Sequence, residues 1–489
     1  MNYTDYIKEF NAEDTEYFKT SITNAEALDW LSAEIPKLEC SDKALEKTYY
    51  YRWWVYRKHV KNTPDGYVIS EFLPDVRWSG KYNVINAASG HHIAEGRWLK
   101  NADKYLWNYL DFFFKYPDEG VRYSSWLIWS AMDLYNVTGN IEISDFINKA
   151  KAHIALWEQT HLTESKLFWS FDDRDAMEFS ISGRLTGKSL KGARPTLNSY
   201  MAGNTHALFK LSTLFGAPLG EYEEKANELK TLMNSVLWRD GFYKAIHPEN
   251  EDFSNLANKS TANIPRELIG YIPWYFDLAD TEKDGVFKLL TDKTAFYASE
   301  GLTTAEQTAP QFLYKADHEC LWNGYVWPFG TSQTLTALLR AMQRDSACKT
   351  AYTGDFYKLL RQYADMHYIM HEDGNRTMWI DEVGAPFEHE WTSRTILKNL
   401  NWPENKGGFE RGKDYNHSTF CDIVLSALTG AWFDDSGVHF SPIIPDDLDF
   451  YAIDDLYIRG DRYRIEYDKS GNHFKKQGLT IYKSGTILQ

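Results

Sequence analysis

Segments with a helical spacing of apolar residues recur along most of this 489-residue chain, and that recurrence limits the possible folds more than any motif does. Leu335, Leu338, Leu339 and Met342 repeat at i, i+3, i+4 and i+7, as do Phe356, Leu359, Leu360 and Tyr363. Comparable patterns predict helices near 43–60, 86–98, 102–116, 121–138, 143–158, 196–214, 220–236, 267–276, 281–290, 328–343, 353–370 and 416–430. Gly139 and Gly216 stand where C-terminal caps belong. No fixed repeat period joins the segments, which argues against a solenoid. Helices in this number, with long loops after alternate ones, suit an all-α (α/α)6 barrel, in which six inner helices are ringed by six outer ones and the loops at one mouth build a pocket. Residues 43–432 are read as that barrel and residues 1–42 as a helical extension packed ahead of it. Past residue 433 the chain alternates and turns β-branched or aromatic, in VHFSPIIP, FYAIDDLYI, YRIEYD and LTIYKSGTIL. Residues 433–489 therefore read as a small antiparallel β appendage packed on the barrel.

The loops at 61–85, 160–195, 240–266, 291–327 and 372–415 hold the unusual residues. Connections this long in a compact fold are functional or disordered, and their Trp, His, Arg and acid content argues against disorder. Aromatic residues make up 16% of the chain, with 18 Trp; part of that is core, and part can stack on the C–H faces of sugar rings. A net charge of −16 repels phosphate backbones and anionic membranes, so no nucleic acid is expected as a partner. No apolar run approaches the roughly 20 residues that span a bilayer, so no membrane partner is expected. The opening MNYTDYIKEF lacks a basic then apolar leader, which makes a cytoplasmic location the default. Cys40, Cys320, Cys348 and Cys421 are scattered with no CxxC, and the histidines, His91–His92 included, show no HxxxH or HExxH spacing. No metal is expected, and without a nucleotide-binding fingerprint or G-x-S-x-G elbow no cofactor is either.

The stretch FWSFDDRDAMEFSISG, residues 168–183, crowds Asp172, Asp173, Asp175 and Glu178 among Trp169, Phe171 and Phe179. Crowded carboxyls and apolar walls both raise pKa values, the requirement for an acid that stays protonated near neutral pH. Asp175, mid-loop beside Arg174, is the expected proton donor. Hydrolysis of a glycosidic bond needs a second carboxylate, and Glu382 in MWIDEVG, beside Trp379, is the expected base, with Asp381, Glu388, Glu390 and Glu410 as rivals. An acid-rich loop is equally what a solvated surface or a helix cap produces, and spacing alone would make Glu382 an ordinary surface residue. Four further stretches read as pocket walls: Trp78, Lys81, Tyr82 and Asn83 in FLPDVRWSGKYN; Arg194, Asn198 and Tyr200 in RPTLNSYMAGN; Trp322, Asn323, Gly324 and Trp327 in CLWNGYVWPFG; and Asn416 and His417 in KDYNHSTFCD. Arg174, Glu178, Arg194 and Asn416 supply the forks and amides that suit sugar hydroxyls.

RDAMEFSISG, RPTLNSYMAGN, the W-N-G-x-V-W-P run and YNHSTFCD, in that order, resemble the trehalase-like six-hairpin glycosidases. That group includes mannosylglycerate hydrolase-like enzymes and processing α-glucosidases, and the resemblance spans roughly residues 43–445. It implies an (α/α)6 barrel and hydrolysis with inversion, the acid falling on Asp175 and the base on Glu382. The E-S-G-x-D form of the acid motif is replaced here by D-D-R-D, and the base region matches less closely, leaving Glu390 and Glu410 open. The expected activity is exo-hydrolysis of a small glycoside, an α-glucoside or α-mannoside, or else an arabinoside or rhamnoside. A sugar epimerase working through His206 and His417, or a non-catalytic sugar-binding protein, are the alternatives.

Overall fold

The computed structural model describes residues 2–488 except 186, 317 and 435, so the extreme ends of the two expected flanking pieces lie outside it. It is mostly helical with one five-stranded antiparallel sheet and several two-stranded hairpins. Long helices run Lys43–His59, Asn86–Gly96, Ala102–Lys115, Leu127–Thr138, Ile143–His161, Pro195–Leu214, Gly220–Leu232, Pro328–Arg344 and Ser346–Asp365.

Helix boundaries follow local chemistry. Asp42 and Asp345 accept hydrogen bonds from the backbone N–H groups of Leu45 and Ala347 as N-caps, and Pro195 and Pro328 open their helices where no N–H is needed. Gly139 ends Leu127–Thr138 in the left-handed conformation that a side chain disfavours, with φ +76°. The Asp345 cap also corrects the expected 353–370 helix: it begins at Ser346 and stops at Asp365, and Tyr368–Met370 pairs as a strand with Arg376–Met378. The expected 416–430 helix starts only at Cys421, because the buried Glu95 carboxylate accepts from the N–H groups of Phe420, Cys421 and Asp422 and starts the helix there. Two expected helices are largely 3-10: Leu268–Tyr271 leads into the one-turn Ile272–Tyr275, and Thr281–Thr291 is 3-10 throughout. Thr392–Asn399 is a helix inside a stretch read as loop.

Six helices are buried on nearly every side, and each packs on the next in a closed circuit. Asn86–Gly96 packs on Leu127–Thr138, then Pro195–Leu214, Ile272–Tyr275, Pro328–Arg344 and Cys421–Thr429 follow, and the last returns to the first. Ala102–Lys115, Gly220–Leu232 and Ser346–Asp365 bury one face each against this circuit. The sheet has strand order Lys37–Cys40, Phe450–Ile458, Asp461–Asp468, Gly478–Lys483, Thr486–Ile487. Its first strand comes from the N-terminal flank: Leu38 pairs with Ile453 and Cys40 with Tyr451, so the two ends of the chain share one sheet. That strand is a short stretch after two helices, and nothing in its spacing distinguishes it from a linker. One hydrophobic core runs continuously from Tyr6 and Phe10 through the helices to Ile465 and Ile481 in the sheet.

Candidate active site

The acidic loop is tied off at its base. Trp169 and Ser170 pair with Ala193 and Gly192, and Ala193 bridges to Ile246, so residues 171–191 project as a closed excursion. Inside it, Asp172 is buried and accepts from Arg184 Nε at 3.0 Å and Ser189 Oγ at 2.7 Å. Gly183 lies so close that a Cβ there would sit 2.5 Å from the Asp172 carboxyl carbon. Ala176 and Phe179 both hold positive φ, 56° and 61°, conformations that non-glycine residues adopt at a cost and that gather at functional sites. Glu178 sits between them, its carbonyl held by the Trp322 N–H at 3.0 Å.

Glu382 is placed by a different set of restraints. Val326 and Gly384 exchange both backbone hydrogen bonds at 2.9 Å, and Asp381 accepts from the Glu382 N–H at 2.7 Å and from Ser393 Oγ at 2.8 Å. Arg411 Nη2 donates to Glu382 Oε2 at 2.9 Å while its Nη1 donates to Glu319 Oε1 at 2.9 Å. The guanidinium is fully buried beside the rings of Trp78, 4.7 Å to the centroid, and Trp402, 5.3 Å. The Cys320 thiol lies 3.4 Å from Glu382 Oε1 and donates to it.

Glu178 and Glu382 face one cavity of about 820 Å³, whose wall also includes Glu71, Trp78, Trp327 and His417. A cleft of about 580 Å³ beside Lys19 and Lys61 is walled by lysines, asparagines and hydroxyls and includes no carboxylate pair. Burial drives the Glu178 carboxyl well above its usual range, opposed by its own backbone and reinforced by the negative charge of Glu382. Glu382 is pushed up to about 7, chiefly by burial; Arg411 opposes the shift, and Glu319 and Glu71 add to it. Asp381 is raised to about 6 by burial, against the hydrogen bonds it accepts from Glu382 and Ser393. Two raised carboxyls in one pocket, only one of them braced by a cation, can divide proton donation and proton acceptance between them.

Asp175, the expected donor, occupies a different environment. It is buried outside the cavity wall, and both oxygens are occupied: Oδ1 accepts from Ser124 at 2.6 Å and Ser170 at 2.5 Å, Oδ2 from Arg194 at 2.7 Å and from Thr196. Arg194, expected at the sugar, instead gives Nε to this carboxylate and Nη1 to Ser182 Oγ, outside the cavity wall. Trp78, Arg174, Glu178, Trp327, Glu382 and His417 are the expected residues that the fold brings to the cavity. Lys81 and Tyr82 instead both hydrogen-bond Asp65, and Asn83 staples the carbonyls of Phe72 and Pro74. Asn198 holds the backbone of Phe168, and Tyr200 accepts from Gln333 in the core. Trp322 backs the wall from behind, stacked 4.6 Å from Trp327, and Asn323 donates to the Tyr314 carbonyl. Gly324, at φ +128°, leaves room for the Phe312 ring, which a Cβ would meet at 2.4 Å. Trp379 donates to Asp381 behind the base loop, and Asn416 ties its N–H to the Glu71 carbonyl. His206 packs near the Trp129 ring, away from the cavity, and Glu410 is paired with Arg394.

Sequence reasoning missed Glu71, Glu319 and Arg411. Each stands near aromatic residues, in SEFLP, DHECLW and GFERGK, with no spacing signal of its own. Among the described residues, no group of three His, Cys, Asp or Glu side chains is placed to hold a metal, and no helix is long and apolar enough to cross a membrane.

The fold has solved counterparts. A chain described as "Sialidase" superposes with a TM-score of 0.85 at 33% identity over 100% of this chain. An α-L-rhamnosidase of Streptomyces avermitilis, solved with L-rhamnose, gives 0.53 at 11% identity over 93% of this chain, and a rhamnosidase of Bacillus sp. GL1 gives 0.52 at 13% over 89%. This chain covers 44%, 38% and 40% of those three, so it spans less than half the length of each. Residues 81–418, which carry every wall of the cavity but Glu71, Arg77 and Trp78, match the mannosylglycerate hydrolase MGH1-like glycoside hydrolase domain. The chain therefore belongs to the mannosylglycerate hydrolase MGH1-like glycoside hydrolase family.

Proposed function

We propose that the chain is an inverting, exo-acting hydrolase of a small glycoside, an α-glucoside or α-mannoside, with Glu178 as general acid and Glu382 as general base. The observation that carries this reading is the shared cavity in which two carboxyls of raised pKa meet while only Glu382 is paired with a cation. Arg411 favours the ionised form of Glu382, so Glu382 takes the proton of the attacking water. Glu178, without a cation partner and pressed by the charge of Glu382, keeps its proton for the leaving oxygen. Asp175 becomes the residue that shapes the loop and holds Arg194, because an acceptor already saturated by four donors has no oxygen to turn toward a substrate. The closed circuit of six buried helices, with Ala102–Lys115, Gly220–Leu232 and Ser346–Asp365 packed against its outside, supports an (α/α)6 barrel with the cavity at one mouth. Residues 1–42 and 433–489, joined through the Lys37–Cys40 strand, act as a single buttress beside the catalytic residues 43–432.

The test is turnover of a panel of aryl α- and β-glycosides, with the released anomer followed by NMR. Inversion with carboxyls on opposite faces requires room for a water, about 6.5–9.5 Å between them. Wild type should release the inverted sugar, and Glu178→Gln and Glu382→Gln should each cost at least a hundredfold. Retained configuration would sink the mechanism; full activity in Glu178→Gln would return the acid role to Asp175.

A further inference from the structure

A chain of buried charges crosses from the N-terminal extension to the loop behind the cavity. The Asp14 side chain, where the helix Tyr3–Glu13 ends, accepts from Lys58 Nζ at 2.6 Å and from Lys413 Nζ at 2.9 Å. Lys58 also donates to Asp414 Oδ2 at 2.7 Å. The Asp14, Lys58 and Asp414 side chains are each 4% exposed or less. The Tyr51 hydroxyl donates to Asp414 Oδ1 at 3.2 Å, and the buried His59 ring holds the Asp414 carbonyl at 2.7 Å. Asp414 itself stands at φ +60°, a conformation that costs a non-glycine residue energy and persists only where its surroundings over-determine it. That left-handed residue lies between Arg411, which holds Glu382, and Tyr415, which stands on the cavity wall. A second tie runs from the Tyr17 hydroxyl to Glu404 Oε2 at 2.7 Å, earlier in the same loop. Asp14 and Lys58 both precede residues 81–418, the part matched by the family.

We infer that Asp14 is a positioning residue for the active site: by gripping Lys413 directly and Asp414 through Lys58, it sets the loop that aims Arg411 at Glu382. The inference rests on the cavity being the glycoside site. Replacing a buried ion pair by well-packed apolar residues is often neutral for stability. What the charges add here is direction, since cations from two separate elements converge on one carboxylate. Anchoring the extension does not require them. Ile7 and Phe10 are already buried in the common core, with Phe10 edge-on to Tyr51 and Trp54 at 5.4 and 6.0 Å. The loop, in contrast, must be held closely. Gly412, next to Lys413, passes so near Asp381 that a Cβ there would meet Asp381 Oδ1 at 2.0 Å, and that same oxygen holds the Glu382 N–H. A shift of residues 411–414 is therefore passed directly to Glu382.

The test uses the full chain with Asp14→Asn, Arg411→Gln and the double variant, read by the pH dependence of kcat/KM and by hydrogen exchange. Asp14→Asn should raise the acidic limb by about half a unit to one unit, because a looser Arg411 opposes protonation of Glu382 less, and kcat/KM at pH 7 should fall about two- to fivefold. In the Arg411→Gln background the same change should leave the limb where it is. Exchange should quicken within residues 408–416 and not through the helices. Should Asp14→Asn fail to fold, Lys413→Gln, whose lysine side chain is 13% exposed, frees the loop while sparing the Asp14–Lys58 pair and should move the limb the same way. A limb that stays in place in the folded variant, or that moves as far in the Arg411→Gln background, would reduce Asp14 to a structural staple and overturn the inference, whatever the melting temperature does. Should wild type cleave no glycoside, the proposed reaction falls and exchange alone decides: quickening confined to 408–416 upholds the positioning, and unchanged or evenly spread exchange overturns it.

Discussion

Replacing Arg411 by Gln tests how the proposed base, Glu382, is tuned. Its guanidinium joins two buried carboxylates, Glu382 and Glu319, each at 2.9 Å. Glu382 stands at about 7 because burial outweighs the Arg411 charge. At an effective dielectric of about 20, a unit charge roughly 4 Å away is worth about 4 kcal/mol, or about 3 pKa units at 1.36 kcal/mol each. Glu319 shares that charge and Gln keeps one neutral hydrogen bond, so a rise of about 2 units is expected in Arg411→Gln. The acidic limb of the kcat/KM profile should then move from near 7 toward about 9, and kcat/KM at pH 7 should fall about fiftyfold from protonation alone. Glu319→Gln should act in the opposite sense. It gives Arg411 wholly to Glu382 and removes a repulsion, so the limb should fall by about 1 unit. Both profiles are measured on folded protein, verified by circular dichroism, since breaking a buried ion pair costs about 3–5 kcal/mol. Limbs that stay in place, or that move in the same direction in both variants, would refute the reasoning.

Asp175→Asn should lower unfolding free energy by about 3–5 kcal/mol by stranding buried Arg194, whereas Glu178→Gln should change it by less than about 1 kcal/mol; urea denaturation separates the two. Glu382 has a folded value of about 7, above its ordinary 4.5, so the unfolded chain releases this proton first as pH rises. The stability it contributes is present below about pH 4.5 and lost by about pH 7, up to about 3 kcal/mol; Glu382→Gln should flatten that part of the stability-against-pH curve. Gly412→Ala would place a Cβ 2.0 Å from Asp381 Oδ1. It should displace the Glu382 backbone and cut kcat/KM by about tenfold or more, with about 1–3 kcal/mol of destabilisation, readable by kinetics and thermal melting together.

Helical periodicity, caps and the change of texture near 433 are properties of neighbouring residues, and they determined the mainly helical body and the terminal strands from sequence alone. Trp78, Trp327 and Glu382 were legible as candidates for the same reason, since an aromatic or acid next to a loop turn marks it locally, and the fold brings all three to the cavity. What spacing could not decide was which carboxylate in DDRDAME is free. Asp175 and Glu178 are three residues apart and chemically alike, yet Ser124, Thr196 and Arg194 close over the first while the left-handed turns at Ala176 and Phe179 present the second to the cavity. Glu71 and His417 are 346 residues apart in sequence and share a hydrogen bond. Only the tertiary structure decided these points, because a side chain's protonation and its free valences are set by whichever distant groups reach it first.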